Sequence, residues 1–536
     1  MTSSLSRRKF LTSAGALASG TILTSSIPGV AHAGWTGHAP MVGPSEGERP
    51  KLPSGIQFGD VTDGRAIVWG RSDRNARMIV EYDTTERFHN ARRIPGPYAS
   101  EETDYTTHVD LMGLPAGQTI FARVYYVDPY NHRIQSEVHL GQFQMAPHAH
   151  RNRPVRFHWS GDNAGQGWGI NTEFGGMKIY EAMRRRSPDF FIHSGDTIYA
   201  DSPILPEVTA ENGRIWKNIV TPEVSKVAET LKEYRGRQAY NMMDVNFQKF
   251  AAQVPQIWQW DDHEVTNNYS ASKDLSADAR YTVKDVSVLA ARGQRAFLEY
   301  APMRYYKLGE PRRVYRKIPY GPLLDVFVLD MRSYRGPNSA NRQPAESDAT
   351  AFLGNAQVDW LISELLNSSA TWKVIAADMP IGLYVGDGKD AQGNDKWEAV
   401  ANGEDGPASG RELEIARLLR NIKAIKNVVW ITADVHYCAA HYYDPAQAKF
   451  SDFSGFWEFV AGPMNAGSFG PNKLDLTFGP TAVFQKGPDA QGASPFAGFQ
   501  FFGEVNIDPL SKSLSVELIN LDGVSQFKKT LNSEVG

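Results

Sequence analysis

The chain has 536 residues, of which 41% are hydrophobic and 22% are charged. A chain of this size is expected to fold into two or more domains. Its 60 acidic side chains nearly balance its 56 basic ones, which argues against a nucleic-acid-binding surface and against a polyacidic disordered tail. The one cysteine, Cys438, excludes an intramolecular disulfide and a thiolate zinc finger, so any metal must rely mainly on oxygen and imidazole donors.

Residues 1–33 have the pattern of an export signal. Arg7 and Arg8 precede a weakly hydrophobic run, and an A-x-A cleavage site ends at Ala33. This pattern is typical of a twin-arginine signal peptide, so we expect the twin-arginine export machinery as a partner and a periplasmic or secreted mature protein. No other run of about 18 apolar residues occurs, so no stable membrane span is expected.

Residues 50–146 show short alternating apolar runs separated by Gly, Pro, Asp and Asn. Examples are 67–69, 78–82 and 120–126. Such a pattern predicts an antiparallel β-sandwich of the immunoglobulin or fibronectin type. It holds no cluster of potential ligands and is interpreted as a scaffold, joined by a linker at 147–154 to a second domain.

Residues 154–536 alternate strand-like runs with amphipathic helices, which predicts an α/β domain. The predicted helices are 176–186, 289–300, 355–366 and 411–426. Six strand-like runs end at or shortly before an acid: 155–159 before Asp162, 190–193 before Asp196, 255–260 before Asp261 and Asp262, 323–329 before Asp330, 374–377 before Asp378, and 428–432 before Asp434.

Acids gathered at the carboxyl ends of strands would repel one another by several kcal/mol unless cations neutralised them. Each acid taken singly is also a common helix cap or turn residue, but their repetition favours a polynuclear metal site. Oxygen and imidazole donors suit iron, manganese, zinc or calcium. The segment 386–410, rich in Gly, Asp and Asn, is interpreted as a surface loop that covers the site.

Three short motifs carry a resemblance to a known family. They are GDTIY at 195–199, WDDHEVTNN at 260–268 and ADVH at 433–436. With LDMRSYR at 329–335 and FVAGP at 459–463, they resemble the alkaline phosphatase D (PhoD-like) family of metallophosphoesterases over nearly the whole chain. The resemblance implies a catalytic fold of two packed β-sheets flanked by helices, with the metal cluster at the sandwich edge.

The resemblance also implies a set of site residues. Asp196 corresponds to a bridging carboxylate, and the other implied metal ligands are Tyr199, which binds a ferric ion, Asp262, Asn267, Asp434 and His436. Asp262 and His263 are also expected beside the phosphate. Many members carry a cysteine ligand where this chain has Ser160-Gly161-Asp162. Asp162 is therefore predicted to replace the thiolate, and the family's iron with calcium becomes one metal set beside zinc or manganese.

Two side chains are predicted to act on the substrate. Arg332 has the planar fork that matches phosphate, and a salt bridge to Asp330 or another acid is an equally favoured alternative. His263 is the candidate proton donor to the leaving alkoxide, the alternative being a histidine that orients Asp262. Asn163, in a glycine-rich turn, is a candidate contact of the phosphate.

The predicted activity is the hydrolysis of phosphate monoesters or diesters through a metal-activated water. A phospholipase D-type diesterase shares this mechanism and stays open. A calcium-binding adhesion protein without turnover is the alternative from another class. His263 and Arg332 favour the enzyme, because a structural calcium site needs neither imidazole nor guanidinium.

Overall fold

A computed structural model describes residues 44–305, 310 and 312–534. The predicted signal peptide, residues 1–33, lies outside the described residues. Among the helices that are described, none combines the length and the apolar character needed to cross a bilayer.

The strands lie in the following order. They are β1 Ile56–Thr62, β2 Arg65–Arg71, β3 Ala76–Asp83, β4 Arg92–Ala99, β5 Thr106–Met112, β6 Thr119–Val127, β7 His139–Gln144, β8 Val155–Ser160, β9 Phe190–Ser194, β10 Glu207–Thr209, β11 Ile215–Lys217, β12 Gln256–Gln259, β13 Arg316–Pro319, β14 Leu324–Val328, β15 Trp372–Ala376, β16 Gly386–Lys389, β17 Asp395–Trp397, β18 Val428–Thr432, β19 Cys438–Tyr443, β20 Phe456–Val460, β21 Pro480–Lys486, β22 Phe501–Ile507, β23 Leu514–Asn520 and β24 Ser525–Leu531. The α-helices are α1 Lys178–Arg185, α2 Leu231–Asn241, α3 Val245–Ala251, α4 Val286–Tyr300, α5 Asn355–Leu366 and α6 Glu412–Ile422.

The first seven strands form the predicted β-sandwich. One of its sheets has the order β4-β3-β6-β7, and β1, β2 and β5 form the facing layer. Phe58 and Phe143 meet in the core between these layers, with ring centroids 4.6 Å apart. Strand β1 also pairs in parallel with β12 through Gly59 and Gln256, so this layer continues into the large sheet of the second part of the chain.

Two large sheets pack face to face in the second part. One has nine strands in the order β24-β23-β22-β8-β9-β12-β1-β2-β5, and the other has seven in the order β13-β14-β15-β18-β20-β19-β21. Alternate side chains of both sheets fill a shared core, with Phe157 and Ile192 from one side and Val326, Val374 and Ile431 from the other. Cys438 is buried in this core, as expected for a free thiol that packs as a small hydrophobe.

Helices cover both outer faces of the pair of sheets. Helices α1 to α4 pack on the nine-stranded sheet around Phe191 and Trp258. Helices α5 and α6 pack on the seven-stranded sheet around Phe327, Ile375 and Trp430. The predicted fold class, a double β-sheet sandwich flanked by helices and preceded by a smaller β-sandwich, is confirmed.

Two helices were not predicted, and two predicted ones are shorter than expected. Helix α2 buries Arg237, Gln238 and Asn241, so its sequence lacks an apolar periodicity that would reveal it. Residues 176–177 are not helical, because Gly176 adopts a positive φ of 70° and the backbone N–H of Met177 donates to Asp244. Helix α6 ends at Ile422 and not at 426.

The carboxyl ends of the strands that precede the predicted acids lie at one edge of the sandwich. Strands β8, β9 and β12 are parallel to one another, as are β14, β15 and β18. Two side chains join the sheets near this edge. Gln259 donates to the carbonyls of Leu329 and Ala376 at 3.2 and 2.8 Å, and the indole of Trp159 donates to Thr432 at 3.1 Å.

Candidate metal centre and active site

The site is built on tight turns that follow the strands. Asp162, Asp196, Asp434 and His436 all have positive φ values, between 51° and 66°. A non-glycine residue in this region costs about 1–3 kcal/mol, which the surrounding structure must offset. Residues that bind ligands are a common place for such strain, and here the turns place four donor side chains in adjoining clusters.

Glycines allow these turns to approach each other closely. A Cβ atom on Gly195, whose φ is 94°, would lie 2.5 Å from the Cβ of Asp261. A Cβ on Gly462 would lie 2.3 Å from a carboxylate oxygen of Asp162. Only glycine therefore leaves room for the acids at these two positions.

The acids and histidines form three clusters in which the donor atoms lie within 4.8 Å of one another. The clusters are Asp162, Asp196 and His436; Asp196, Asp262 and His263; and Asp261, Asp262 and Asp434. Asp196 belongs to the first two clusters, an arrangement that suits the predicted bridging carboxylate. Asp262 links the second cluster to the third.

His436 is held in one tautomer. Its Nδ1 atom lies 2.5 Å from the carbonyl oxygen of Gly467, to which it donates its proton. Its Nε2 atom lies 2.7 Å from the hydroxyl of Tyr199 and 3.5 Å from Asp162. Burial lowers the pKa of His436 to about 3, so the ring is neutral and Nε2 keeps its lone pair as a ligand requires.

His263 is held by a carboxylate outside the three clusters. Its Nδ1 lies 2.6 Å from Asp201, and its ring lies on that of Tyr199 with centroids 4.1 Å apart. Burial would lower the pKa of His263, but Asp201 and Asp262 raise it to about 10. The imidazole is therefore cationic and has its other nitrogen, Nε2, available as a proton donor.

Glu264 fixes the backbone around these acids. Its carboxylate accepts hydrogen bonds from the backbone N–H groups of Thr197 and Asp261 at 2.5 and 2.7 Å, and from the Thr197 hydroxyl at 2.6 Å. It thus ties the turn after β9 to the turn after β12. Glu264 lies within the WDDHEVTNN motif, and Asp201 follows the GDTIY motif by two residues. No role was predicted for either, because both act on residues of another loop or on the backbone.

Arg332 is buried and surrounded by acids. It forms ion pairs with Asp261 and Glu398, and its Nε lies 3.3 Å from Asp378. Burial would lower the pKa of Arg332, but Asp261 and Glu398 raise it well above its usual value. The guanidinium thus forms salt bridges, as the alternative from the sequence had it, but with Asp261 and Glu398, while Asp330 accepts from Arg332 only the backbone N–H.

The strand-end acids divide into two groups. Asp330 accepts from the Trp260 indole at 3.0 Å and from the Ser333 backbone and hydroxyl at 2.9 and 2.6 Å, so it acts as a turn residue. Asp378 pairs with Arg332. The other four strand ends supply the clusters.

The electrostatics of the clusters require positive charge. Burial and then repulsion from neighbouring acids raise the pKa values of Asp162, Asp196 and Asp434 well above the usual range. The buried atoms Oδ2 of Asp162 and Oδ1 of Asp262 have no hydrogen-bond partner among the described residues. Grouped carboxylates with free buried oxygens fit bound cations, so the residues present match the predicted metal site.

The clusters open onto a cavity of about 310 Å³. Its described lining contains no lysine or arginine and consists of Gln166, Asp196, Asp262, His263, Asn267, Asn268, Val385, Glu398, Asp434, Val435, His436, Phe469, Gly470, Pro471, Asn472 and Gln491. Of the predicted site residues, Asp162, Asn163, Tyr199 and Arg332 lie behind this lining. Asn163 is buried and donates its backbone N–H to the Asp196 carbonyl at 2.9 Å, and the structure gives its side chain no place in the cavity wall.

The loop at 386–410 reaches the cavity from the side. Strands β16 and β17 form a hairpin in it, and Asp387 accepts from the side chains of Asn268 and Asn338 at 2.9 and 3.1 Å. Glu398 follows β17 and contacts Arg332. The loop thus contributes a buried charged residue to the site, which its composition did not indicate.

Models of two protein domains match this sequence. The model described as PhoD-like phosphatase matches residues 157–518, and the model described as its N-terminal domain matches residues 37–147. The chain belongs to the PhoD-like phosphatase family. The family that its motifs resemble is thereby confirmed.

One curated relative agrees with this membership. Alkaline phosphatase D of Bacillus subtilis (strain 168) is 29% identical over 340 residues, which are 61% of this chain. They are 54% of that protein, so the chain spans about half the length of this curated relative.

Two solved structures share the fold. The structure of PhoD has a TM-score of 0.67 at 21% identity, covering 92% of this chain and 94% of that one. Purple acid phosphatase PPD1 from yellow lupin (Lupinus luteus) seeds has a TM-score of 0.56 at 13% identity, covering 90% and 74%.

Proposed function

We propose that this chain is an exported, metal-dependent phosphoesterase. The observation that carries the proposal is the set of three donor clusters that share Asp196 and Asp262 and open, with His263, onto one cavity. Membership in the PhoD-like phosphatase family supports the same reaction. The twin-arginine pattern around Arg7 and Arg8 supports export to the periplasm or medium.

The metal ions are assigned to the first two clusters. Asp162, Asp196 and His436, with the Tyr199 hydroxyl, would hold one ion; Asp196 and Asp262, with Asn267 and Asp434 nearby, would hold another. When bound, such ions supply Lewis acidity and lower the pKa of a coordinated water. The hard donors and the phenol favour iron with calcium, and zinc or manganese suit the same donors.

His263 is assigned the role of general acid. As water oxygen bonds to phosphorus and the phosphorus–oxygen bond to the leaving group breaks, Nε2 of His263 donates its proton to the departing alkoxide. Nδ1 of His263 donates its own proton in a hydrogen bond to Asp201, which orients the ring. A leaving alkoxide needs this proton because it is a strong base.

The cavity favours esters whose leaving group carries no negative charge. Amide side chains of Gln166, Asn268, Asn472 and Gln491 line it, together with the aromatic ring of Phe469. The described lining has no cationic side chain other than histidine, so bound cations must neutralise the phosphate. Phosphomonoesters and phosphodiesters are the proposed substrate classes, and phospholipid diesters form a subset of the second.

A paired assay tests the proposal. Purified and metal-analysed protein is given p-nitrophenyl phosphate and bis-p-nitrophenyl phosphate from neutral to alkaline pH, with and without a chelator. We expect turnover that the chelator abolishes and added metal restores, and the ratio of the two rates separates monoesterase from diesterase. Headgroup release from phospholipid vesicles identifies the phospholipase subset. Bound metal without turnover on any of these substrates would favour the calcium-binding alternative.

A further inference from the structure

The third acidic cluster differs from the other two in its surroundings. Asp261, Asp262 and Asp434 place carboxylate oxygens within 4.8 Å of one another, as a metal site would. All three, however, face the same guanidinium. Nε of Arg332 pairs with Asp261, and its Nη2 lies 4.0 Å from Asp262 and 3.6 Å from Asp434.

Arg332 cannot leave this position without a large penalty. Its side chain has no solvent exposure, and it forms two further ion pairs, with Glu398 through Nη1 and with Asp378 through Nε. Removing one partner of such a buried ion pair leaves an uncompensated charge inside the protein. The guanidinium is therefore a fixed part of the site, in contrast to a side chain that swings toward a ligand.

The position of Arg332 also separates it from the cavity in which the substrate is proposed to bind. It lies behind the wall of the cavity, whereas Asp262 and Asp434 are part of that wall. Its Nη2 has no hydrogen-bond partner among the described residues and lies within 4.0 Å of both carboxylates. The positive charge thus lies close to two predicted metal ligands, Asp262 and Asp434, without being part of the cavity lining.

The geometry points to Arg332 as a built-in cation that occupies the place of a metal ion in the cluster of Asp261, Asp262 and Asp434. It neutralises this cluster and positions Asp262 and Asp434 toward the metals of the other two clusters. Arg332 is then a positioning residue and not a contact of the phosphate. This inference rests on the proposed function, because it presupposes metals at the other clusters.

The test is the metal content of Arg332→Gln. Wild type and variant are stripped, reloaded with Mn²⁺ and analysed by mass spectrometry for metal per chain. We expect the variant to bind one further ion, since three carboxylates lose their cation, while the inhibition constant for inorganic phosphate changes little. Arg335→Gln is the matched control: Arg335 is a buried arginine of the same segment that donates to the carbonyl of Glu398, and its removal is expected to leave the metal count unchanged.

An unchanged metal count in Arg332→Gln, with weaker inhibition by phosphate, would overturn the inference and restore the phosphate-binding role. If that variant does not fold, wild-type crystals soaked in Mn²⁺ decide the question. Anomalous peaks at the first two clusters and none between Asp261, Asp262 and Asp434 support the inference, and a peak there overturns it. A wild type with neither bound metal nor turnover would overturn the proposed function as well, whereas equal metal counts in an active wild type and its variant overturn only this inference.

Discussion

The imidazole of His263 and the carboxylate of Asp201 form a partly buried pair, with Nδ1 and Oδ1 2.6 Å apart. His263 opposes the usual effect of burial and lowers the pKa of Asp201 to about 2, so the carboxylate stays ionised. Asp201 also accepts the backbone N–H of Asn267 at 3.0 Å. One acid therefore orients both the proposed proton donor and a predicted metal ligand.

Replacing Asp201 by Asn is expected to impair catalysis according to the leaving group. For an alkyl phosphate ester, kcat should fall by about 10–100-fold, a part of the 10²–10⁴-fold that a positioned general acid supplies. For p-nitrophenyl esters the loss should be smaller, because that leaving group departs without a proton. Steady-state rates on both substrates check this, and equal losses on the two would contradict the assigned role of His263.

Metal removal is expected to lower the thermal stability of the wild type. Ions that bind the folded chain but not the unfolded chain stabilise the fold by about 2.7 kcal/mol when their concentration is a hundred times Kd. Without them, Asp196 and Asp262 repel one another inside the protein. Thermal unfolding followed with and without chelator should show a lower midpoint in the chelator, and an unchanged midpoint would mean that no ion neutralises the clusters.

Gly195→Ala is expected to destabilise the protein more than a glycine substitution elsewhere. The new Cβ would lie 2.5 Å from that of Asp261, in addition to the cost of its φ of 94°. Gly523→Ala is the control, because its φ of 78° carries the backbone cost while nothing lies within 4 Å. We expect Gly195→Ala to lose about 1–3 kcal/mol beyond the control and to bind metal poorly. Equal unfolding midpoints for the two variants would show that the turn accommodates the added Cβ without steric strain.

A second prediction of stability concerns pH and lies outside the site. Burial would raise the pKa of Glu504, but Arg186 and His158 lower it below its usual value. Arg186 contributes two hydrogen bonds, at 2.7 and 2.8 Å. A carboxylate with a depressed pKa stabilises the fold above its unfolded pKa of about 4.3, and this contribution is lost as the pH falls through the folded value.

Glu504→Gln should therefore lower the free energy of unfolding by about 1.5–3 kcal/mol at neutral pH, the range for hydrogen bonds to charged groups. The difference from wild type should shrink as the pH falls below about 4. Unfolding midpoints of both proteins across the acid range measure it. A difference that stays constant down to low pH would show that protonation of Glu504 is not linked to unfolding.

The sequence predicted the parts of the site that follow the strands. An acid after a parallel strand lies at the carboxyl edge of its sheet, so Asp162, Asp196, Asp262 and Asp434 could be grouped from the sequence alone. The two-residue spacing of Asp434 and His436 kept both in one turn. The same reasoning also included Asp330, which is a turn residue, because spacing alone does not distinguish a cap from a ligand.

Contacts between distant segments could not be predicted in this way. Glu398 contacts Arg332 from a loop whose composition indicated a surface segment over the site but no contact with a buried arginine. The carbonyl of Gly467 fixes the tautomer of His436 from 31 residues away. The pairing of Gly59 with Gln256, which joins the first sandwich to the large sheet, likewise depends on packing that no local pattern records.

The most direct test of the metal-dependent reaction compares Asp196→Ala with Asp330→Asn. Both residues are buried strand-end acids. Asp196 belongs to two donor clusters, whereas Asp330 accepts hydrogen bonds from Trp260 and Ser333 and belongs to none of the three clusters. Bound metal, turnover of p-nitrophenyl and bis-p-nitrophenyl phosphate and unfolding midpoint are measured on the same samples. We predict that Asp196→Ala stays folded but loses metal and turnover, while Asp330→Asn keeps both. An Asp196→Ala protein that retains wild-type metal content and turnover would contradict the account.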